Sequence, residues 1–326
     1  MKLCVTGGAG YIGSVVAQML IDEGHDVCIL DNLSTGHKSA LPEGTRLVKG
    51  DIRDDASLDD ALDDGVEAVL HFAALSIVED SVAHPLTYFD NNVGGTLSIL
   101  KAMNRLGIKR FVVSSSAAVY GAPNALPIEE TAPRRPTNPY GHSKLCVETM
   151  LEASKRAWDL RYVSLRYFNA GGSTEKHGEH HDPESHLIPI VLDVAAGRRK
   201  AFDVFGDDYD TPDGTCIRDY IHIHDLATAH VLALGAMEKR NFSGVLNLGS
   251  EEGFSVLEVI ETAERVTGTT IARIIGERRA GDPPGLLASS RRAEEVLGWK
   301  KSHSSLEEII QSAHEWRTRN PDGYPD

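Results

Sequence analysis

The stretch "KLCVTGGAGYIGSVVAQML", residues 2–20, passes from an apolar run through a glycine-rich turn into a helix-like segment. Gly7, Gly10 and Gly13 stand at G-x-x-G-x-x-G spacing within it. In that context Gly7 permits a tight turn, Gly10 lets a pyrophosphate approach the backbone, and Gly13 lets helix and strand pack closely. The helix N-terminus behind them offers free amide N–H groups to phosphate. This turn predicts a dinucleotide-binding βαβ unit at the start of the fold.

The same alternation continues outward. "DVCIL" (26–30), "RLVKG" (46–50), "AVLHF" (68–72), "RFVVSS" (110–115) and "RYVSLRYF" (161–168) are strand-like runs separated by amphipathic segments. Strands alternating with helices imply right-handed crossovers and a parallel sheet covered on both faces. The expected class is α/β: a Rossmann-type doubly wound parallel sheet with a smaller C-terminal α/β substrate lobe. From about residue 172 the texture changes to loops rich in His, Asp, Gly and Pro. The expected division is residues 1–171 as the cofactor domain and 172–326 as the smaller lobe, with 218–250 as a segment returning to the first domain.

A chain of 326 residues with 41% hydrophobic content builds a sizeable core. Its net charge of −15 argues against nucleic acid or an anionic membrane as partner. Cys4, Cys28, Cys146 and Cys216 are scattered and read as reduced thiols. The N-terminus runs directly into "KLCVTGG" without a basic, cleavable apolar leader, and no apolar run approaches the length of a membrane span. A cytoplasmic, soluble protein is expected.

Strand two ends in Asp31, placed to take both hydroxyls of an adenosine ribose and to repel a 2′-phosphate. "DNLST" brings no adjacent arginine, so NAD is favoured over NADP. "GDIRD" (50–54) sets Asp51 and Ile52 either at the adenine or in an ordinary strand-to-helix turn. "SSSAAVYG" (114–121) leaves Ser116 just beyond the end of strand five, where parallel sheets bind ligands. "NPYGHSK" (138–144) sets Tyr140 and Lys144 on one helix face, where a lysine charge favours the phenolate and makes Tyr140 a candidate general base. "KHGEHHDPESH" (176–186) invites a metal reading but is taken as a solvated loop, and no metal is expected. His222 and His224 alternate on an expected strand and would share one face.

With these motifs assembled, the chain resembles the extended short-chain dehydrogenase/reductases and, within them, the UDP-glucose 4-epimerases. The resemblance runs from "VTGGAGYIGS" through "DNLSTG", "HFAAL", "YFDNNVGGT", "PYGHSK", "LRYFNAGG", "HLIPIV" and "DYDTPDGTCIRDYIHIHDLA" to "RRAGDPP". It implies that Gly7, Gly10, Tyr11, Ile12 and Gly13 form the pyrophosphate loop, with Asp31 and Asn32 on the ribose and Asp51 and Ile52 on the adenine. Phe72, Ala73, Ala74, Asn91 and Phe168 would line the nicotinamide side, where Lys144 would also reach the ribose. Asn169, Leu187, Phe205, Arg218, Arg279 and Asp282 would hold the nucleoside diphosphate and sugar. Leu286 would lie beside the sugar's C2 substituent. Two places depart from the family pattern: Ser76 where a lysine is frequent, and Ser185–His186 where two asparagines are.

The implied activity is reversible C4 epimerisation of UDP-glucose and UDP-galactose through a 4-keto intermediate with tightly bound NAD, part of galactose metabolism. Tyr140, Lys144 and Ser116 would be its catalytic residues. A homodimer pairing helices of the first domain is also implied. A 4,6-dehydratase would need proton-transferring groups after Ser116, where Ala117 and Ala118 stand. An epimerase or decarboxylase acting on UDP-glucuronate, or an epimerase of UDP-N-acetylglucosamine, stays open as the alternative. An NAD-sensing regulator would have no use for Tyr140 and Lys144 together.

Overall fold

The computed structural model describes residues 1–63, 65–279, 282–303 and 305–325. Its strands are β1 (Lys2–Thr6), β2 (Asp26–Asp31), β3 (Arg46–Lys49), β4 (Val66–His71), β5 (Arg110–Ser116), β6 (Arg161–Tyr167), β7 (Asn169–Gly171), β8 (Phe202–Phe205), β9 (Ile217–His222), β10 (Gly244–Leu248), β11 (Gly253–Ser255), β12 (Arg273–Gly276) and β13 (Gly285–Leu286). The helices are α1 (Tyr11–Asp22), α2 (Asp55–Ala61), α3 (Val78–Ala83), α4 (Pro85–Tyr88), α5 (Gly95–Leu106), α6 (Pro139–Trp158), α7 (Leu187–Ala195), α8 (Ile223–Lys239), α9 (Val256–Thr267), α10 (Arg291–Leu297) and α11 (Leu306–Arg319).

Seven strands form one parallel sheet in the order β10-β6-β5-β4-β1-β2-β3. Because both faces are covered, the strands are apolar almost throughout rather than alternating. One face packs Val15, Val16 and Leu20 of α1 against Leu226, Ala229 and Ala233 of α8. The other buries Leu58 of α2, Ile99 and Met103 of α5, and Val147 and Leu151 of α6. The chain builds outward from β1 to β3, then crosses to β4 and builds the other way. The loops after β1 and β4 therefore part, and the crevice at that switch point is where such sheets bind ligands.

The smaller lobe is a second sheet, β11-β9-β13 with β7 paired to β9, plus the two-stranded β8–β12 ribbon. Ile188 and Val191 of α7, Val259 and Ile260 of α9 and Ile309 and Ile310 of α11 build its core. Segment 218–250 divides between the two parts: β9 joins the second sheet, α8 covers the first, and β10 becomes its seventh strand. The alternation read at His222 and His224 is overturned. The chain turns into α8 at Ile223, and His222 becomes the helix cap, its Nδ1 accepting from the His224 amide at 3.1 Å. A side chain that caps a helix start satisfies an amide the helix cannot.

Helix α6, which carries the "NPYGHSK" motif, is fixed at its start by local chemistry. Asn138 Oδ1 accepts from the Gly141 amide at 2.8 Å, and Pro139 occupies the first helical position, where its missing N–H costs nothing. Gly141 has a second role: a Cβ there would stand 2.5 Å from the Ala118 carbonyl oxygen. The helix can approach the turn after β5 this closely only because Gly141 has no side chain.

Candidate active site

The glycine turn has the close geometry its spacing implies. Gly7 lies at φ +74°, and a Cβ on it would stand 2.5 Å from Ala73 N; one on Gly13 would stand 2.1 Å from Gly7 O. Around Gly10, by contrast, the nearest such atom is Gly7 O at 3.4 Å, which leaves a cradle a phosphate can enter. Tyr11 begins α1 and its phenol donates to Gly172 O at 2.6 Å, tying the turn to the segment after β7. Ile12 follows on the same first turn.

Asp31 closes β2, and its carboxylate accepts from Ala9 N at 2.9 Å and Leu33 N at 2.8 Å. Burial pushes its pKa up against these two hydrogen bonds. Asn32 and Asp51 form the outer rim, 3.5 Å apart, and the Arg53 guanidinium holds the Asp51 carboxyl down at about 2. Ile52 differs from its neighbours. Its side chain is buried against Gly95, where an added Cβ would meet Ile52 Cδ1 at 2.3 Å. The hydrophobic core therefore takes that side chain.

Phe72, Ala73 and Ala74 form the loop after β4, anchored by Ala73 N donating to Thr6 O at 3.1 Å. Asn91 lies in a wide π-helical turn (89–94) before α5, next to Asn92. Asn92 is one residue that the sequence reading passes over. Its amide accepts from Leu75 N, donates to Leu75 O, and donates to Ser143 Oγ at 3.0 Å, so it fastens the β4 loop to α6. Only the rarity of two adjacent asparagines inside a helix signals it. Ser76 lies exposed on the same loop.

Ser116, Tyr140 and Lys144 meet at the end of β5. The Ser116 hydroxyl lies close enough to the Tyr140 phenol to favour its charged form, and its Oγ accepts from Ala118 N at 3.2 Å. Lys144, only 5% exposed, donates to Ser114 O at 2.9 Å, and its Nζ lies 5.7 Å from the Tyr140 ring centre. Burial lowers the lysine to about 8, opposed by the Glu148 charge. The tyrosine moves opposite to the expectation from sequence: burial raises its pKa, and only Ser116 acts the other way.

Glu148 extends this face by another turn, and sequence reasoning missed it. Its carboxylate accepts from Ser115 Oγ at 2.8 Å and from Arg166 Nε at 2.8 Å and Nη2 at 2.5 Å. Both side chains of the pair are almost fully buried, Arg166 at 2% and Glu148 at 1% exposure. The spacing Tyr140–Lys144–Glu148 was available as a signal, but the partner on β6 was not.

In the smaller lobe, Arg218 on β9 is in register with Leu286 on β13, donates to Pro283 O at 3.0 Å and pairs with Asp282 at 3.4 Å. The Arg279 guanidinium lies 4.0 Å over the Phe205 ring at the end of β8. Asn169 donates to Asp219 O at 3.0 Å. Phe168 and Leu286 pack against one cluster with Val119, Tyr120 and Ile128, next to the serine turn. Leu187 begins α7, directly after Ser185 and His186.

The family model for "NAD dependent epimerase/dehydratase family" matches residues 3–249. This chain belongs to that family. The UDP-glucose 4-epimerase of Streptomyces lividans is 51% identical over 327 residues, covering 100% of this chain and 98% of the relative. The structure of UDP-glucose 4-epimerase from Brucella ovis in complex with NAD superposes with a TM-score of 0.94 at 46% identity, covering 97% of this chain and 98% of that one. The Bifidobacterium longum UDP-glucose 4-epimerase in complex with NAD+ and UDP gives 0.93 at 39% identity, covering 99% and 100%. Among the described residues no helix is long and apolar enough to cross a membrane.

Removing one member of a buried ion pair strands the other charge. Glu148→Gln should lower the unfolding free energy by about 3–5 kcal/mol in urea denaturation. A loss below about 1 kcal/mol would show that Arg166 does not depend on Glu148.

Proposed function

We infer that this chain is an NAD-dependent epimerase that interconverts UDP-glucose and UDP-galactose. One observation carries the reading: Ser116, Tyr140 and Lys144 meet at the carboxyl end of β5, on the same sheet as a glycine turn shaped for a dinucleotide pyrophosphate. Full-length similarity to UDP-glucose 4-epimerases supports the substrate.

Gly7, Gly10, Tyr11, Ile12, Gly13, Asp31 and Asn32 would hold NAD, which when bound would supply a hydride acceptor and donor for the sugar's C4 carbon. Tyr140 takes the proton of the 4-hydroxyl, and Ser116 orients both the phenol and the sugar oxygen. Because burial favours the neutral phenol, a nearby cation has to stabilise the phenolate, and Lys144 is the protein's own. Arg218 and Arg279 bind the diphosphate, a role suited to guanidinium groups in a chain of net charge −15. Asn169, Leu187, Phe205 and Asp282 complete that grip. A pocket that holds UDP firmly and the hexose loosely lets the 4-keto sugar turn over, which inverts C4 on reduction. Ala117 and Ala118 form the turn after Ser116 and offer no acid or base for water elimination.

The oligomer we propose is a homodimer. Val82 of α3, Leu86 of α4, and Leu97 and Leu106 of α5 are exposed apolar side chains on neighbouring helices, the kind of surface a symmetric interface covers. All four cysteines are free thiols, consistent with a reducing cytoplasm.

Purified protein should carry NAD through gel filtration and equilibrate UDP-glucose with UDP-galactose without added cofactor. Turnover that consumes NAD stoichiometrically would make it a dehydrogenase instead. Leu286 tests the sugar subsite. Leucine leaves more room than an aromatic ring but offers an acetamide no hydrogen bond. Leu286→Ser should raise kcat/KM for UDP-N-acetylglucosamine relative to UDP-glucose by about 10-fold or more, and Leu286→Tyr should lower it. Equal ratios in all three proteins would remove residue 286 from the subsite.

A further inference from the structure

Away from the serine–tyrosine–lysine group, the segment between β7 and α7 draws four metal-type side chains to one point. The sequence suggests a solvated loop here. In the structure Glu179 and His177 are buried, and the ligand atoms of Glu179, His181, Glu184 and His186 all lie within 4.8 Å of one another. His181 Nδ1 stands 3.3 Å from Glu179 Oε1 and 3.8 Å from Glu184 Oε1. His186 Nδ1 stands 3.7 Å from Glu184 Oε1 and hydrogen-bonds Glu179 Oε1.

A tetrahedral ion with bonds of about 2.0–2.1 Å to nitrogen and oxygen holds its ligands about 3.3 Å apart. Three edges of the cluster, at 3.3, 3.7 and 3.8 Å, are at or within about 0.5 Å of that length. Its carboxylates are shielded, the side chains of Glu179 and Glu184 being 7% and 8% exposed, while His181 is 29% and His186 50% exposed on the outer side. Two of its atoms, His181 Nδ1 and Glu184 Oε2, are buried without any hydrogen-bond partner. Buried polar atoms are rarely left unpaired, and two adjacent buried carboxylates call for positive charge.

We propose that Glu179, His181, Glu184 and His186 bind one divalent cation, with zinc the best match to two imidazoles and two carboxylates. The two carboxylates balance the ion's charge, and four protein ligands close its shell, so the site is structural. Its position gives it a purpose. The His181 ring meets the Tyr11 ring edge-on at 6.4 Å, just behind the glycine turn, and His186 immediately precedes the first residue of α7, Leu187. In the same loop His177 Nε2 lies 3.1 Å from Ala40 O, and His180 O lies 3.1 Å from His37 Nε2. An ion here would brace the loop that joins the glycine turn to the smaller lobe.

The test uses the full chain in a Cys146→Ser background, so that the exposed thiol takes no metal. Protein stripped with a chelator, equilibrated with zinc chloride and desalted should retain one zinc per chain by elemental analysis, and its thermal midpoint should rise on zinc addition. His181→Gln and Glu184→Gln should each weaken zinc binding by more than the roughly 10–100-fold cost of an outer-shell change. His224→Gln, in a separate His–Asp cluster, should leave it unchanged. Wild-type protein that desalts free of zinc would overturn the proposal. So would zinc binding that is unaltered by the first two substitutions, because the cluster would then be an imidazole–carboxylate hydrogen-bond network only.

Discussion

The arrangement of the site depends on how closely α6 can lie against the turn after β5. That distance is set by Gly141, whose missing side chain leaves room for the Ala118 carbonyl. With the helix seated there, three successive turns of one face meet three successive serines of one strand. Tyr140 reaches Ser116, Lys144 reaches the Ser114 carbonyl, and Glu148 reaches Ser115 Oγ. A spacing of four on the helix is matched to a strand end that alternates its side chains. The Asn92 amide adds an independent clamp, fastening the β4 loop to Ser143 on the same helix.

Burial then decides the charge states. The Tyr140 phenol is pushed up and Lys144 is brought down to about 8, while Glu148 works against that fall. Since the lysine's folded pKa lies below its unfolded value, it costs stability at pH values under about 8, and that cost is relieved as pH rises from there toward the unfolded pKa. A lysine that served stability alone would be poorly placed here. Its location makes sense if its charge serves the phenolate. The Glu148–Arg166 pair supports the arrangement from below, at a depth where either charge alone would be expensive.

Much of this was legible because the signals are local. The glycine turn, Asp31 at a strand end, and the Tyr140–Lys144 spacing each fit within a few residues, and backbone geometry fixes what such spacings do. The parallel sheet followed from strand-like runs separated by helices. What could not be read depends on partners distant in sequence. Glu148 needs Arg166 on β6, Asn92 needs Leu75 and Ser143, and Ile52 is drawn into the core by Gly95 on α5. The direction of the Tyr140 shift depends on burial, which spacing does not reveal. The histidine-rich loop looked solvated because its composition is polar, yet His177 and Glu179 are buried and its carboxylates and imidazoles gather at one point. His222 misled for another reason: alternation over three residues does not separate a strand's end from a helix cap.

In the proposed mechanism Tyr140 transfers the proton of the sugar hydroxyl. The sharpest check on that role is steady-state turnover of UDP-galactose by Tyr140→Phe, with UDP affinity and bound NAD measured on the same preparation. The expected result is a fall in kcat of about 10²–10⁴-fold, with UDP affinity and NAD content close to those of the parent protein. A variant that turns over within a few-fold of the parent would show that the phenol is not the proton-transferring group.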